Sequence, residues 1–223
     1  MYAFQQSNQM DTTPRGFAGI EADRRVYSYS KGRVFYRPGD SGHTLFRVVS
    51  GEVAVYMISV DGRRLLLDVL SEGDLFGYSM LTNNPAHTFA EAFTDCEVEK
   101  YSRDDIQHLM SLEPQMMFDL IQTAVERAQL IEKRLEEVTF LPIHVRLARL
   151  LLELADTHGK DGIVMGFSHQ LMADMLGVYR ETVTQSLSQM KKDGIISLGR
   201  LRFNILDEDA LENAAFADGM AMV

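Results

Sequence analysis

The sequence predicts an α+β chain in three parts: an N-terminal antiparallel β-roll, one long helix, and a C-terminal helix-turn-helix closed by a β-hairpin wing. Three observations carry this reading. Short β-rich runs alternate with turn signals from Tyr27 to Tyr101, apolar residues then recur in a seven-residue pattern, and two short helical segments finally meet at Gly177. The parts are expected at residues 1–112, 113–141 and 142–223. At 223 residues, 46% of them hydrophobic, the chain is long and apolar enough to bury a sizeable core.

The β part is punctuated by RPGD at 37–40, SGE at 50–52, DG at 61–62, EGD at 72–74 and NNP at 83–85. VAVYMISV and RLLLDVL, joined around Asp61-Gly62, read as a hairpin. Evenly spaced short strands imply a sandwich, barrel or roll. The chain shows no β/α alternation, no GxxxxGK[ST] and no GxGxxG, so its turn glycines are structural rather than a phosphate cradle.

From about Glu113 to Thr139, Met117, Ile121, Ala124, Ala128, Ile131, Leu135 and Val138 step alternately by four and three, a seam of three heptads. Charged residues Glu126, Arg127, Glu132, Lys133, Arg134, Glu136 and Glu137 fall off it. A helix packed only on its own β domain would not need so long a stripe. Small Ala124 and Ala128 admit a second helix closely, so a parallel homodimer is expected. The stripe ends at Phe140-Leu141-Pro142, where proline disfavours helix in the residue before it, and this is the expected hinge.

Beyond the hinge, HVRLARLLLELADTHG reads as an amphipathic helix stopped by Gly159, and KDGIVMGF as a loop. Ser168 is the expected N-cap of a helix through Leu176, and a second helix runs from about Tyr179 to Asp193. Ala173 lets the two helices cross closely, Gly177 takes the turn, and Val183 packs between them, which is the helix-turn-helix pattern. IISLGRLRFNIL then reads as a hairpin turning at Gly199-Arg200, the wing.

Charge supports the same assignment. The whole chain carries a formal net charge of −10, yet Ile143 to Leu206 holds eight basic and six acidic residues. Five of those cations, Arg180, Lys191, Lys192, Arg200 and Arg202, lie on or beside the second helix and the wing, where a helix in the major groove meets phosphates. Arg180 suits a bidentate pair with guanine and Glu181 can accept from cytosine N4; Gln185, one turn on, suits adenine. Backbone contacts are expected from His169, Gln170, Tyr179, Thr182, Thr184, Lys191 and Arg200.

Other classes are excluded or unsupported. Cys96 is the only cysteine, so intramolecular disulfides and all-cysteine clusters are ruled out within one chain. The six histidines show no ligand spacing, and no acid–base pair or nucleophile site is evident, so no metal, cofactor or catalytic residue is expected. MYAFQQSNQMDTTPRG has no basic start leading into an apolar run, and no stretch reaches the ~18 apolar residues of a membrane span. A cytoplasmic protein is expected.

Taken in order, a β-roll, a long dimer helix, a hinge and a winged helix-turn-helix resemble the superfamily of the cyclic-AMP receptor protein and the fumarate–nitrate regulator (Crp/Fnr), bacterial transcription factors. The resemblance spans Tyr27 to Leu206 and rests on RPGD, GEVAV, EGDLFG, TDCEVEKYS and above all RETV followed by a hydrophobic helix and DGII. It implies a cyclic-nucleotide-binding-like jelly roll, a homodimer on palindromic double-stranded promoter DNA, RNA polymerase as protein partner, and a G·C-containing half-site read by Arg180 and Glu181. The cyclic-AMP receptor has an arginine where this chain has Gln185.

The resemblance also implies an effector pocket at Phe76, Gly77, Tyr78, Ser79, Ala86, His87 and Ile131. There the cyclic-AMP receptor uses a glutamate, an Arg-Ser pair and a Thr-Ser pair; this chain has Tyr78, Ala86-His87 and Ile131-Glu132. A buried phosphate without a cation is costly. Regulation independent of cyclic AMP, through an apolar, altered or vestigial pocket, is therefore expected, with effector independence in view. The alternative is a ligand-sensing module acting through protein–protein contacts.

Overall fold

The computed structural model describes residues 25–82, 84–112, 114–159 and 163–216. The NNP turn at Asn83, the expected helix start at Glu113, and Lys160 and Asp161 lie wholly or partly outside them. Two compact units separate by contacts among the described residues: those of 25–57 together with 67–130, and those of 58–66 together with 131–216.

In the first unit, strands β1 (Val26–Tyr29), β2 (Val34–Tyr36), β3 (Leu45–Ser50), β4 (Val53–Ile58), β5 (Arg64–Leu70), β6 (Leu75–Phe76), β7 (Phe89–Ala92) and β8 (Cys96–Tyr101) form the roll, with the end of β4 and the start of β5 passing to the second unit. Their orders are β1-β8-β3-β6 and β2-β7-β4-β5. Inward-facing Phe46, Val48, Val53, Leu70, Phe76, Ala90 and Val98 fill the core, and Phe46 stacks on Phe76 with centroids 4.8 Å apart. Between β6 and β7 lies the short helix α1 (Ser79–Thr82), and β8 leads into α2 (Arg103–Leu112).

Helix α2 is absent from the sequence reading, although its signal is present. Ser102 and Asp105 bond reciprocally: the Ser102 amide donates to Asp105 Oδ2 at 2.7 Å, and the Asp105 amide donates to Ser102 Oγ at 3.2 Å. That is a capping box, with Asp in the role usually held by Glu.

The long helix α3 (Gln115–Phe140) ends where proline predicts, before Pro142. It buries Met116, Leu120 and Thr123 against its own unit, the first two packed with Leu45, Leu75 and Tyr101. All seven predicted seam residues are on the other side and exposed, Ile121 by 53%, Ile131 by 60% and Leu135 by 65%. The helix thus has two apolar faces, and its own β strands cover one.

The second unit contains α4 (Ile143–His158), β9 (Ile163–Met165), α5 (His169–Leu176), α6 (Arg180–Lys192), β10 (Ile196–Gly199), β11 (Arg202–Ile205) and α7 (Glu208–Phe216). Leu147, Leu151, Val164, Phe167, Met172, Ala173, Val183, Leu187, Ile196, Phe203 and Leu211 make one core. Two local expectations change. The predicted loop carries β9, which pairs with β11 and makes the wing a three-stranded sheet, β10-β11-β9. The hairpin turn also falls one residue later, at Arg200-Leu201, because Gly199 pairs with Arg202. Leu201 takes φ 53°, a left-handed conformation that a branched side chain resists, and its carbonyl is held by the Gly166 amide at 2.7 Å.

Candidate nucleic-acid interface

The two helices of the turn are set by residues that have no need of DNA. Ser168 Oγ accepts from the Leu171 amide at 3.1 Å and caps α5. Gly177 ends it in the left-handed region at φ 65°, its neighbour Val178 donating back to the Ala173 carbonyl at 3.1 Å. Arg146 Nη1 closes the same end by donating to the Leu176 carbonyl at 3.1 Å. Helix α6 then buries Val183, Leu187 and Met190, which fixes its rotation.

The opposite face of α6 is exposed and polar: Arg180, Glu181, Gln185, Ser188 and Lys192. Arg180 is the first helical residue and Tyr179 the N-cap. At this end the unpaired amides and the helix dipole favour negative charge. Lys191 sits in the last turn, where its own charge complements the dipole.

A cleft of about 400 Å³ opens between α5, α6 and the wing, lined by Ser168, His169, Gln170, Arg180, Leu201 and Arg202 among others. His169 Nδ1 lies 2.9 Å from Thr184 Oγ1, which also donates to the Arg180 carbonyl at 2.9 Å. Gln170 donates to Asp174 at 2.8 Å, the Thr182 amide to the Tyr179 carbonyl at 3.1 Å, and Tyr179 OH to Asp61 at 2.7 Å. Arg200 is exposed at the wing tip. The expected contact residues therefore lie on α5, α6 and the wing of one unit. Leu201, which lines the same cleft, was not among them, and Arg202, counted among the cations of the wing, was not named as a contact.

The expected effector pocket is more divided. Phe76 belongs to the roll core, while Ala86 is buried and His87 exposed. Gly77 takes φ 90°, and a Cβ there would lie 2.5 Å from the Thr44 carbonyl oxygen, so only glycine fits. Ser79 starts α1, and Ile131 stands on the exposed stripe of α3.

The expectation of an apolar site without a cation is corrected by Arg127, a residue noted in the sequence only as lying off the seam. Its guanidinium lies 4.9 Å from the Tyr78 ring centroid, donates to the Leu75 carbonyl at 3.0 Å and comes within 3.8 Å of Asp68. Burial works to lower the Arg127 pKa, but Tyr78, Asp68 and Asp74 outweigh it and the net shift is upward. Burial likewise raises the Tyr78 hydroxyl. Arg127 Nε and Tyr78 OH are both buried without a hydrogen-bond partner. No local pattern betrays this arrangement, because it joins residues 49 positions apart. The segment at Ala86-His87 supplies no guanidinium, and the Arg127 charge faces Asp68.

Two family descriptions match the chain, a cyclic nucleotide-binding domain over residues 26–113 and a Crp-like helix-turn-helix domain over residues 145–214. The sequence is 29% identical over 201 residues to the probable transcriptional regulator flp of Lacticaseibacillus casei, covering 89% of this chain and 91% of that protein. It is 27% identical over 198 residues to the cAMP-activated global transcriptional regulator CRP of Pasteurella multocida, covering 84% and 94%. Among solved structures, a CRP/FNR-family transcriptional regulator from Thermus thermophilus superposes with a TM-score of 0.70 at 27% identity, over 86% of this chain and 98% of that one. The c-di-GMP responsive global regulator CLP of Xanthomonas campestris shares the fold, with a TM-score of 0.76 at 21% identity over 87% and 98%. Among the described residues no helix is long and apolar enough to cross a membrane.

Proposed function

Because the chain belongs to the Crp/Fnr superfamily of transcription regulators, carrying both its cyclic nucleotide-binding domain and its DNA-binding helix-turn-helix, we propose that it acts as a homodimer on palindromic promoter DNA. The observation that carries this reading is the division of α6. Val183, Leu187 and Met190 hold one face in the core, while Arg180, Glu181 and Gln185 are exposed on the other. Arg180 pairs with guanine, Glu181 accepts from cytosine and Gln185 reads the next base; His169, Gln170, Tyr179, Thr182, Thr184, Lys191 and Arg200 hold phosphates.

Dimerisation runs through Met117, Ile121, Ala124, Ala128, Ile131, Leu135 and Val138. An exposed apolar stripe of this length is costly in water and ready for a second helix of the same pattern. Residues 1–112 are the sensor part, 113–141 the dimer helix and hinge, and 142–223 the DNA-binding part. Cyclic AMP is not required, and the DNA-binding state is reached without an effector. The protein works in the cytoplasm, has no catalytic activity of its own, and meets RNA polymerase at the promoter.

Selection of DNA from a random pool by the full-length protein, without added nucleotide, tests the reading. The expected product is an inverted repeat whose half-sites lie about one helical turn, roughly 34 Å, apart. Recovery of no preferred sequence overturns it.

A further inference from the structure

Residues 58–66, the turn of the β4–β5 hairpin, group with the helix-turn-helix in one unit, and a short row of their side chains engages its turn. Asp61 accepts from the Ser59 hydroxyl and from Arg63 Nε at 2.9 Å, both within the hairpin. It also accepts from Tyr179 OH at 2.7 Å, 118 positions away in sequence. The Arg63 guanidinium lies 5.3 Å from the Tyr179 ring centroid. Leu65 faces Gly177 so closely that a Cβ there would stand 3.0 Å from Leu65 Cδ1. Asp61 and Arg63 of the turn and Leu65 of β5 thus reach the segment 177–179 that joins the two DNA-binding helices.

What they occupy is the working end of α6. Tyr179 is its N-cap and Arg180 its first residue, and the positive end of the helix dipole attracts the Asp61 carboxylate as it attracts any anion. A DNA phosphate approaching Tyr179 needs the same hydroxyl donor and meets the same carboxylate with like charge. We infer that the hairpin tip is a removable cap on the DNA-reading helix: the Asp61 carboxylate stands in for a phosphate on Tyr179, and DNA binds only after the hairpin lifts.

This inference rests on the DNA-binding reading of α6 and adds its regulation. Lifting the cap involves no base, so its cost falls on every DNA sequence alike. The cap lowers affinity without altering which site is preferred, and whatever draws the hairpin away from Tyr179 raises the affinity that the protein already has without an effector.

The test is DNA affinity by fluorescence anisotropy for the full chain, on the selected site and on a scrambled duplex. Asp61→Ala should tighten binding to both by the same factor, about fivefold or more, the low end of typical coupling between sites. Asp61→Asn, which keeps an acceptor for the turn, should give a smaller gain in the same direction and serves if Asp61→Ala fails to fold. In a Tyr179→Phe background the cap is already released, so adding Asp61→Ala should change nothing further. Unchanged or weaker binding by the Asp61 variants overturns the cap. So does a full gain that persists in Tyr179→Phe, since loss of negative charge alone then explains it. If neither wild type nor variants prefer any sequence, the DNA-binding reading falls and the cap with it; if wild type binds its site and the variants gain nothing, the cap alone falls.

Discussion

Arg180 and Val183 separate what α6 exposes from what it packs. Arg180 is exposed at the first position of α6, whereas Val183, three residues on, is wholly buried. Arg180→Ala should leave the fold intact, cost about 1–3 kcal/mol on the preferred site and relax one symmetric pair of base positions. Lys191→Ala, removing only a phosphate contact, should weaken all duplexes alike; parallel selections with the two variants check both, and an unchanged preferred sequence for Arg180→Ala would defeat its assignment. The Ser168 cap and the exposed place of Arg180 were legible because both follow from position along one helix. Arg127 and the partner of Tyr179 were not, because a buried guanidinium under Tyr78 and an Asp61–Tyr179 bond depend on segments that only folding brings together.

Among the elements, the turn and the long helix make the sharpest demands. Gly177→Ala places a side chain at φ 65° and should destabilise the protein by about 1–2 kcal/mol, read as a lower midpoint in thermal unfolding followed by circular dichroism. The wholly buried Leu187 is a second probe: Leu187→Ala should cost about 2–5 kcal/mol through lost burial and the cavity left behind. Helix α3 is tested by Ile131→Asp. Ile131 is 60% exposed in the single chain, so the substitution spares the subunit but buries a charge if a second α3 packs there. Sedimentation should show a monomer with little affinity for a palindrome; a mutant that stays dimeric would refute the seam. Seven-residue periodicity made α3 readable because it extends over 26 residues. Strand β9, only three residues long, carries no comparable period, and its pairing is decided by β11.

At the scale of the whole molecule, charge is divided as sharply as structure. The chain totals −10, while residues 143–206 carry an excess of two positive charges. DNA affinity should therefore fall steeply as salt is raised, because cations that displace counterions from phosphates are confined to that segment. Cyclic AMP at saturation should move the affinity by less than about twofold, below the ~5-fold low end of ordinary coupling. Titrating it into the DNA-binding assay, with calorimetry alongside, checks this, and a large stimulation with measurable heat would show that Arg127 accepts the ligand after all. The pairing of β9 also bears on when the second unit can fold during synthesis. The strand's central Val164 is fully buried opposite Phe203, and β11 is its only partner strand among the described residues. A nascent chain that has just released α6 from the ribosome has both DNA-reading helices but no sheet beneath them. Their shared core gains its sheet only when residue 205 emerges and closes only with Leu211 and Ala215 of α7, so the reading head matures late, and fragments ending before β11 should remain protease-sensitive.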